Sequence, residues 1–522
     1  MNTTDARPPL AGEIRRRTAL VTEPLPRRRV LFATTFAFLI SFVVWFDMAP
    51  FLTSIGRSMH LTPKQLVALT LCNLVLCVPG RVFIGKAVDR FGPRRIYAGL
   101  LVFSFIPNTV FAVSHSFTVL AVSRLFVGLV GAGFVVGIRL VAEWFDDRDM
   151  GTATGFYGGW GNFGSAVAAI SLPLVATFVA GGPAAWRWGV FTAGAVAAVY
   201  GVILLALVQD TPDGQPHSRP AQTGALEVTS PSGLVASVLL FVPIGAVMAL
   251  VVDRLYRTKI LSGAAAVICI IGIAAFLVHQ VMRALQANHR AIADEYPSEE
   301  RFPMRSVVLL CLAYSVTFGT ELTVISLLPT YFAATFGLHI AAAGVAGSMF
   351  AFTNLVTRPG GGFVSDVSGR RRTTLIWLLA GVAVSFVIMA KMNATWSVGA
   401  GILLVMVASV FVQGGNGAVF AIVPSINRRS SGQIAGIVGA YGNVGGLILS
   451  SVLFFTITPT HKSGNTSLVF LVIAGSALIV AGLCRFLPAD PPAVPEVATA
   501  PVPAERLVSE QPRVNTSVDS LG

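Results

Sequence analysis

Charge is scarce in this chain. Only 12% of its 522 residues are Asp, Glu, Lys or Arg, against about a quarter in a soluble domain, and the shortfall excludes an ordinary water-soluble fold. Acidic groups are the scarcer sign, 24 against 37 basic, giving a formal net charge of +13. That excess does not point to nucleic acid, because the basic residues gather in loops and tails. Cysteine is also rare. Cys72, Cys77, Cys269, Cys311 and Cys484 are scattered through apolar runs without CxxC spacing, which excludes a zinc knuckle or disulfide framework and leaves small packing residues. The few histidines, His279 among them, sit at span ends, in loops or in the central insert. Neither a metal site nor a cofactor is expected. Walker A, HExxH and GxSxG in a strand–helix context are missing, so an enzyme is not expected. The Arg- and Pro-rich N-terminal thirty residues hold no short apolar core with a small-residue cleavage site, so no removable signal peptide is expected.

What is abundant is apolar: 54% of residues are hydrophobic and 51 are glycine. Segments long enough to cross a bilayer, about 20 residues each, recur at 30–54, 64–88, 95–115, 117–144, 151–178, 186–208, 233–252, 260–282, 305–335, 340–365, 373–392, 397–425, 432–458 and 465–487. They are too long and continuous for barrel strands, which alternate over about ten residues. The expected fold class is an all-α polytopic membrane protein.

Two arginines inside these runs organise the chain. Arg81 lies in LCNLVLCVPGRVFIGKAVDRFG and Arg358 in GSMFAFTNLVTRPGGGFVSDVSG, each followed eight residues later by an aspartate, Asp89 and Asp366. The offset of 277 residues marks a repeat of two six-helix halves. The expected organisation is an N-terminal tail (1–29), a first half (30–208), a linker with two inserted apolar segments (209–304), a second half (305–487) and a disordered tail (488–522). An even number of added spans keeps the halves parallel. Arg7, Arg15–Arg17, Arg27–Arg29, Arg90, Arg94, Arg95, Arg370–Arg372, Arg428 and Arg429 fall on one side of the membrane. The positive-inside rule makes that side, and both termini, cytoplasmic. DRLYRTK (253–259) should face outward yet is basic, so the insert reads either as two spans or as a shallow hairpin.

An intramembrane charge costs several kcal/mol and is by default a functional-site hypothesis. Two cations at matching positions suggest one central anion site. A second repeated motif sits on the fifth helix of each half, GFYGGWGNFGSA (155–166) and GIVGAYGNVGGL (436–447). It matches at Gly155/Gly436, Gly158/Gly439, Gly161/Gly442, Asn162/Asn443 and Gly164/Gly445, offset by 281. Such glycine density lets a neighbouring backbone approach and slide, and the shared asparagine amide can donate to an oxyanion. Between spans, GKAVDRFGPRR (85–95) and GGFVSDVSGRRR (361–372) form loop motifs. Asp89 and Asp366 there read as latches for one conformational state, with Arg139 as the expected partner of Asp89.

The loop motifs resemble those of the major facilitator superfamily, and the paired glycine motifs are similar to the nitrate signatures of its nitrate/nitrite porter family. The resemblance covers both halves and implies a major-facilitator-like fold of twelve plus two spans. It also implies secondary transport of nitrate and nitrite through the cytoplasmic membrane by alternating access. Carried over singly, it implies substrate contacts at Arg81, Arg358, Asn162, Phe134, Tyr314 and Phe318, with Asn443 as the second signature's asparagine. The departures are the insert and two intramembrane acids, Asp47 and Glu321.

The chemistry suits the anion. Guanidinium is planar, stays protonated when buried and offers a fork of donors to a flat, singly charged ion. Aromatic faces at Phe134 and Phe318 are placed to sandwich it. Empty, two such cations about 8 Å apart at an effective dielectric near 20 repel by about 2 kcal/mol, which an anion relieves. The bland alternative is that Asp47 and Glu321 neutralise Arg81 and Arg358 and no anion is needed. Their other use is proton coupling; both read as lying towards the outer half. The mode, exchange of nitrate for nitrite or nitrate/proton symport, stays open here. Competing functions are a fourteen-span drug exporter, which has no use for two arginines, and a non-transporting anion sensor, which would want a soluble output domain. The expected partners are the anions and the lipid bilayer, with protons added if the mode is symport; the expected state is a monomer.

Overall fold

The computed structural model describes residues 25–145, 147–212, 226, 228–257, 259, 261–293, 302–427, 431–456 and 465–488. The two tails, apart from their inner ends, lie outside the described residues. Fourteen helical stretches among those described are long and apolar enough to cross a membrane, and each overlaps one of the fourteen segments read from hydropathy. Both inserted segments are among them, at Pro231–Arg257 and Gly263–Ala287, so two long helices replace the shallow-hairpin alternative.

Many spans are broken near their middles. The first half contains α1 (Leu25–Phe46), α2 (Pro63–Val75), α3 (Cys77–Phe91), α4 (Pro93–Val113), α5 (Phe117–Val127), α6 (Gly133–Trp144), α7 (Asp147–Asn162), α8 (Gly164–Val179) and α9 (Trp186–Leu207). The insert contains α10 (Pro231–Leu239), α11 (Phe241–Arg257) and α12 (Gly263–Ala287). The second half contains α13 (Met304–Phe336), α14 (Ile340–Phe352), α15 (Asn354–Ser368), α16 (Arg371–Met389), α17 (Val398–Ile426), α18 (Ser431–Thr456) and α19 (Thr466–Cys484). The break at Leu76 has a local cause. Pro79 has no N–H for the carbonyl of Val75, so the helical ladder is interrupted one turn before Arg81.

The two halves repeat one packing plan. In the first, α1 packs on α7 and α8, and α4 on α9; in the second, α13 packs on α18, and α16 on α19. The halves meet along two seams: α7–α8 against α14–α15, and α18 against α2–α3. Each seam therefore joins a glycine signature of one half to the arginine-bearing span of the other. Outward-facing apolar side chains such as Phe178, Trp377 and Ile268 are largely exposed, as expected where the solvent is lipid.

Candidate functional site

The signatures bring the two arginines inward by crossing. Gly158, in the first signature, lies against Arg358, and Gly439, in the second, lies against Arg81: a Cβ built on either would stand 3.5 Å from the guanidinium. A methyl group at either place would be in van der Waals contact with the cation. Gly161, Gly164, Gly442 and Gly445 face their own half. A Cβ on Gly161 would overlap the ring of Phe38, and one on Gly164 the carbonyl of Leu39. On Gly442 it would strike Tyr314 and Phe318, and on Gly445 the carbonyl of Ser315. Close approach of backbones, not turn geometry, demands glycine here.

Arg81 and Arg358 are both buried, 7% and 5% exposed. Arg81 Nη1 donates to the carbonyl of Gly439 at 2.6 Å. The amide of Asn443 also faces this cation. A guanidinium offers only donors, so the amide oxygen is the facing atom, accepting from Nη1 at 2.9 Å and from Nε and Nη2 at 3.2 Å. Arg358 Nη2 donates to the hydroxyl of Tyr314 at 2.9 Å, while its Nη1 has no hydrogen-bond partner among the described residues. Each guanidinium also sits near an aromatic face, Arg81 at 5.7 Å from the centre of Phe134 and Arg358 at 5.6 Å from that of Phe318. Tyr314 and Phe318, one turn apart on α13, stack with ring planes 3° apart. Phe420 of α17 links the two aromatic groups, 6.4 Å from Phe134 and 5.0 Å from Tyr314. Through Phe420 the group around Arg81 (Asn443 and Phe134) is thus connected to the group around Arg358 (Tyr314 and Phe318).

The carboxylates are arranged differently from the expectation. Asp47 does not approach Arg81. It accepts from Arg124 Nη1 at 2.7 Å and from Asn108 Nδ2 at 2.8 Å. Arg124 also donates to Asn73 Oδ1 at 2.9 Å and to the carbonyl of Trp45 at 3.1 Å. Asp47 and Arg124 are fully buried, and the pair ties four spans of the first half together. Glu321 is fully buried at the middle of the 33-residue α13, not towards its outer end. Its carboxylate accepts from Asn354 at 2.8 Å, Asn416 at 2.7 Å and Asn162 at 3.2 Å. Asn162 therefore spends its amide on a carboxylate and reaches across the seam to do so. Glu321 Oε2 lies 3.6 Å from Arg358 Nη1 without a hydrogen bond. It offsets the charge of Arg358 but leaves the donor unused. Among the described residues no carboxylate pairs with Arg81.

The latch expected between Asp89 and Arg139 falls partly outside the described residues. Arg139 pairs with Glu143 on its own helix at 2.9 Å, and the side chain of Asp89 lies outside the described residues. Asp210, just past the sixth span, accepts from the backbone N–H of Arg94 at 2.7 Å and caps α4. Asp366 accepts from Arg371 at 2.9 Å, within its own motif.

Arg124, Asn416 and Phe420 escaped the sequence reading. Arg124 is an intramembrane arginine like the other two. At the repeat offsets of 277 and 281 it is matched by Gly401 and Val405, so the test of repetition passed over it. A search for every charge inside a span would have found it. Asn416 lies in QGGNGAV, which reads as glycine-rich packing; nothing local marks it as a carboxylate ligand.

Comparison with known proteins agrees with the repeat. The Major Facilitator Superfamily profile matches residues 30–288 and 310–515. The chain is 40% identical over 472 residues to the nitrate/nitrite transporter NrtP of Nostoc punctiforme, covering 89% of this chain and 93% of that protein. It is 38% identical over 498 residues to NrtP of Picosynechococcus, with the same shares covered. It is 24% identical over 443 residues to the nitrite extrusion protein of Bacillus subtilis, covering 84% and 90%. In fold it is similar to the xylose transporter XylE of E. coli in a partially occluded inward open conformation, with a TM-score of 0.60 at 13% identity, covering 89% and 99%. It is also similar to a bacterial homolog of the human lysosomal transporter Spinster, with a TM-score of 0.58 at 12% identity, covering 89% and 97%. The chain belongs to the major facilitator superfamily and, within it, to the nitrate/nitrite porter family.

Proposed function

We propose that this protein carries nitrate and nitrite across the cytoplasmic membrane by alternating access, holding one anion between Arg81 and Arg358. The observation that carries the reading is the crossed seam, in which each half's cation rests on the other half's glycine signature. An anion bridging the two arginines would bridge the two halves. The unused Nη1 of Arg358 and the aromatic faces of Phe134 and Phe318 fit a small flat ion, and the names of the relatives agree. Both termini lie on the cytoplasmic side in this reading, and the monomer is the working unit.

Charge ties the mode of coupling to Glu321. Two guanidiniums and one carboxylate leave one net positive charge. A single monovalent anion cancels it, so with Glu321 ionised the loaded site crosses more readily than the empty one, which supports exchange. The position of Glu321, against Arg358 and hydrogen-bonded to Asn162 of the other half, favours a second reading. A proton taken up there would enter with the anion and leave with it, giving symport. Asp47 has no such place: its ion pair with Arg124 serves the packing of the first half.

Flux into proteoliposomes loaded with nitrite, with and without an imposed pH gradient, tests both. Nitrate uptake stimulated by internal nitrite is expected. Glu321→Gln is expected to keep that exchange and lose any response to the pH gradient. Uptake by the wild type that is indifferent to both nitrite and protons would overturn the transport cycle proposed.

A further inference from the structure

The inserted hairpin is fastened to the second half. Tyr441, inside the second signature, is 3% exposed and donates its hydroxyl to the carbonyl of Leu240 at 2.6 Å. Leu240 is the break between α10 and α11. Pro243 has no N–H for the carbonyl of Leu239, which accounts for a break here. Further along, Arg254 of α11 lies over Phe454 and Phe455 of α18, 5.0 and 4.1 Å from their ring centres. The ends of the insert are tied to each other, Phe302 N–H donating to Thr229 at 3.1 Å and Asn288 accepting from Val228 N–H at 2.7 Å. Helix α10 packs on α13.

Against the first half the hairpin lays apolar surface. Helix α11 packs on α2, and Phe276 of α12 meets Phe83 of α3 with ring centres 6.2 Å apart. The hairpin thus lies over the seam where α18 meets α2–α3. Among the described residues nothing covers the first half in this way. Trp160, the counterpart of Tyr441, is 42% exposed and lines an open groove of about 630 Å³ with Phe32, Phe36, Phe156 and Tyr200. Among the described residues, the hairpin covers this place in only one of the two halves.

We infer that the inserted hairpin is a moving part of the carrier: anchored through Tyr441, it travels with the second half and slides over α2–α3 when the halves rock. Hydrogen bonds and an arginine on aromatic rings hold the side facing the second half, and the ring contact of Phe276 with Phe83 faces the first. Tyr441 is a positioning residue in this arrangement, because α18 also carries Gly439 and Asn443, which hold Arg81. The inference rests on the alternating-access reading above.

Reversible cross-linking of the full-length protein in proteoliposomes tests it. Phe83→Cys with Phe276→Cys, in a Cys269→Ala background that removes the native thiol of α12, joins the hairpin to the first half through a short bis-methanethiosulfonate. Nitrate flux is expected to fall at least about tenfold and to return on reduction. Arg254→Cys with Phe455→Cys, both on the second half's side, is expected to link with flux unchanged. A Phe83–Phe276 link with wild-type flux, or no link at all, would overturn the inference; absence of flux in the unlinked wild type would instead strike the transport reading. Tyr441→Phe keeps the ring and removes the hydroxyl. It is expected to raise the nitrate KM about fivefold, the scale of one buried hydrogen bond, at an unchanged amount of folded protein. Less folded protein with an unchanged KM would mean a merely structural role and would overturn the anchor.

Discussion

Arg81 and Arg358 occupy equivalent places in the repeat but have different partners. The first rests on a carbonyl and an asparagine oxygen; the second holds a tyrosine hydroxyl and stands beside a carboxylate. The site is therefore symmetric in its cations and asymmetric in what modulates them. Asp47 and Arg124 have another role. Removing one member of a buried ion pair leaves the other unpaired, at a cost of about 3–5 kcal/mol. Asp47→Asn is accordingly expected to lower the thermal unfolding midpoint in detergent and the yield of folded protein. A variant of wild-type stability with an altered response to pH would point to a proton relay instead. The paired arginines were legible in the sequence because repetition singled them out among apolar neighbours. Arg124 has no counterpart, and the partners of Asp47 and Glu321 come from other spans, so their pairing depends on tertiary packing that no local pattern encodes.

At the scale of elements, the glycine signatures are two surfaces on one helix. One face accepts the opposite half's arginine and the other takes the backbone of its own first helix. Not every matched glycine is equally constrained. Gly445 and Gly164 stand where a Cβ would overlap the carbonyls of Ser315 and Leu39, whereas Gly155 and Gly436 have open space. Gly445→Ala and Gly164→Ala are each expected to cut nitrate flux severalfold while the protein still inserts. Gly155→Ala and Gly436→Ala are expected to be tolerated. Equal sensitivity at all four positions, measured as flux per inserted molecule, would show that packing alone does not set the pattern. The existence of the spans was plain from hydropathy, since a bilayer demands long apolar runs. Their breaks were not, because a proline such as Pro79 announces a kink without saying which neighbour re-satisfies the freed carbonyl.

For the whole molecule, the two seams explain how one small ion could control a large motion. Each seam pairs an arginine span with a glycine signature, and the hydrogen bond from Asn162 to Glu321 crosses one of them. Loss of charge at Glu321 would weaken that crossing bond together with the pull on Arg358. Glu321→Gln is therefore expected to abolish dependence on the pH gradient while sparing nitrite-stimulated exchange, measured side by side in the same vesicles. The two six-helix halves and the burial of both arginines between apolar neighbours were readable from offsets of 277 and 281 in the sequence. The placement of the insert over one seam was not readable, because its helices are apolar over most of their length and hydropathy does not tell a face turned to protein from one turned to lipid.

The most direct measurement is calorimetric titration of nitrate into the purified protein and into Arg81→Lys and Arg358→Lys. Lysine keeps the charge and loses the planar fork. If the anion bridges both guanidiniums, the wild type binds one nitrate per chain and each variant loses at least about tenfold in affinity, the scale set by a charge-assisted hydrogen bond. Wild-type affinity in either variant would contradict the bridge.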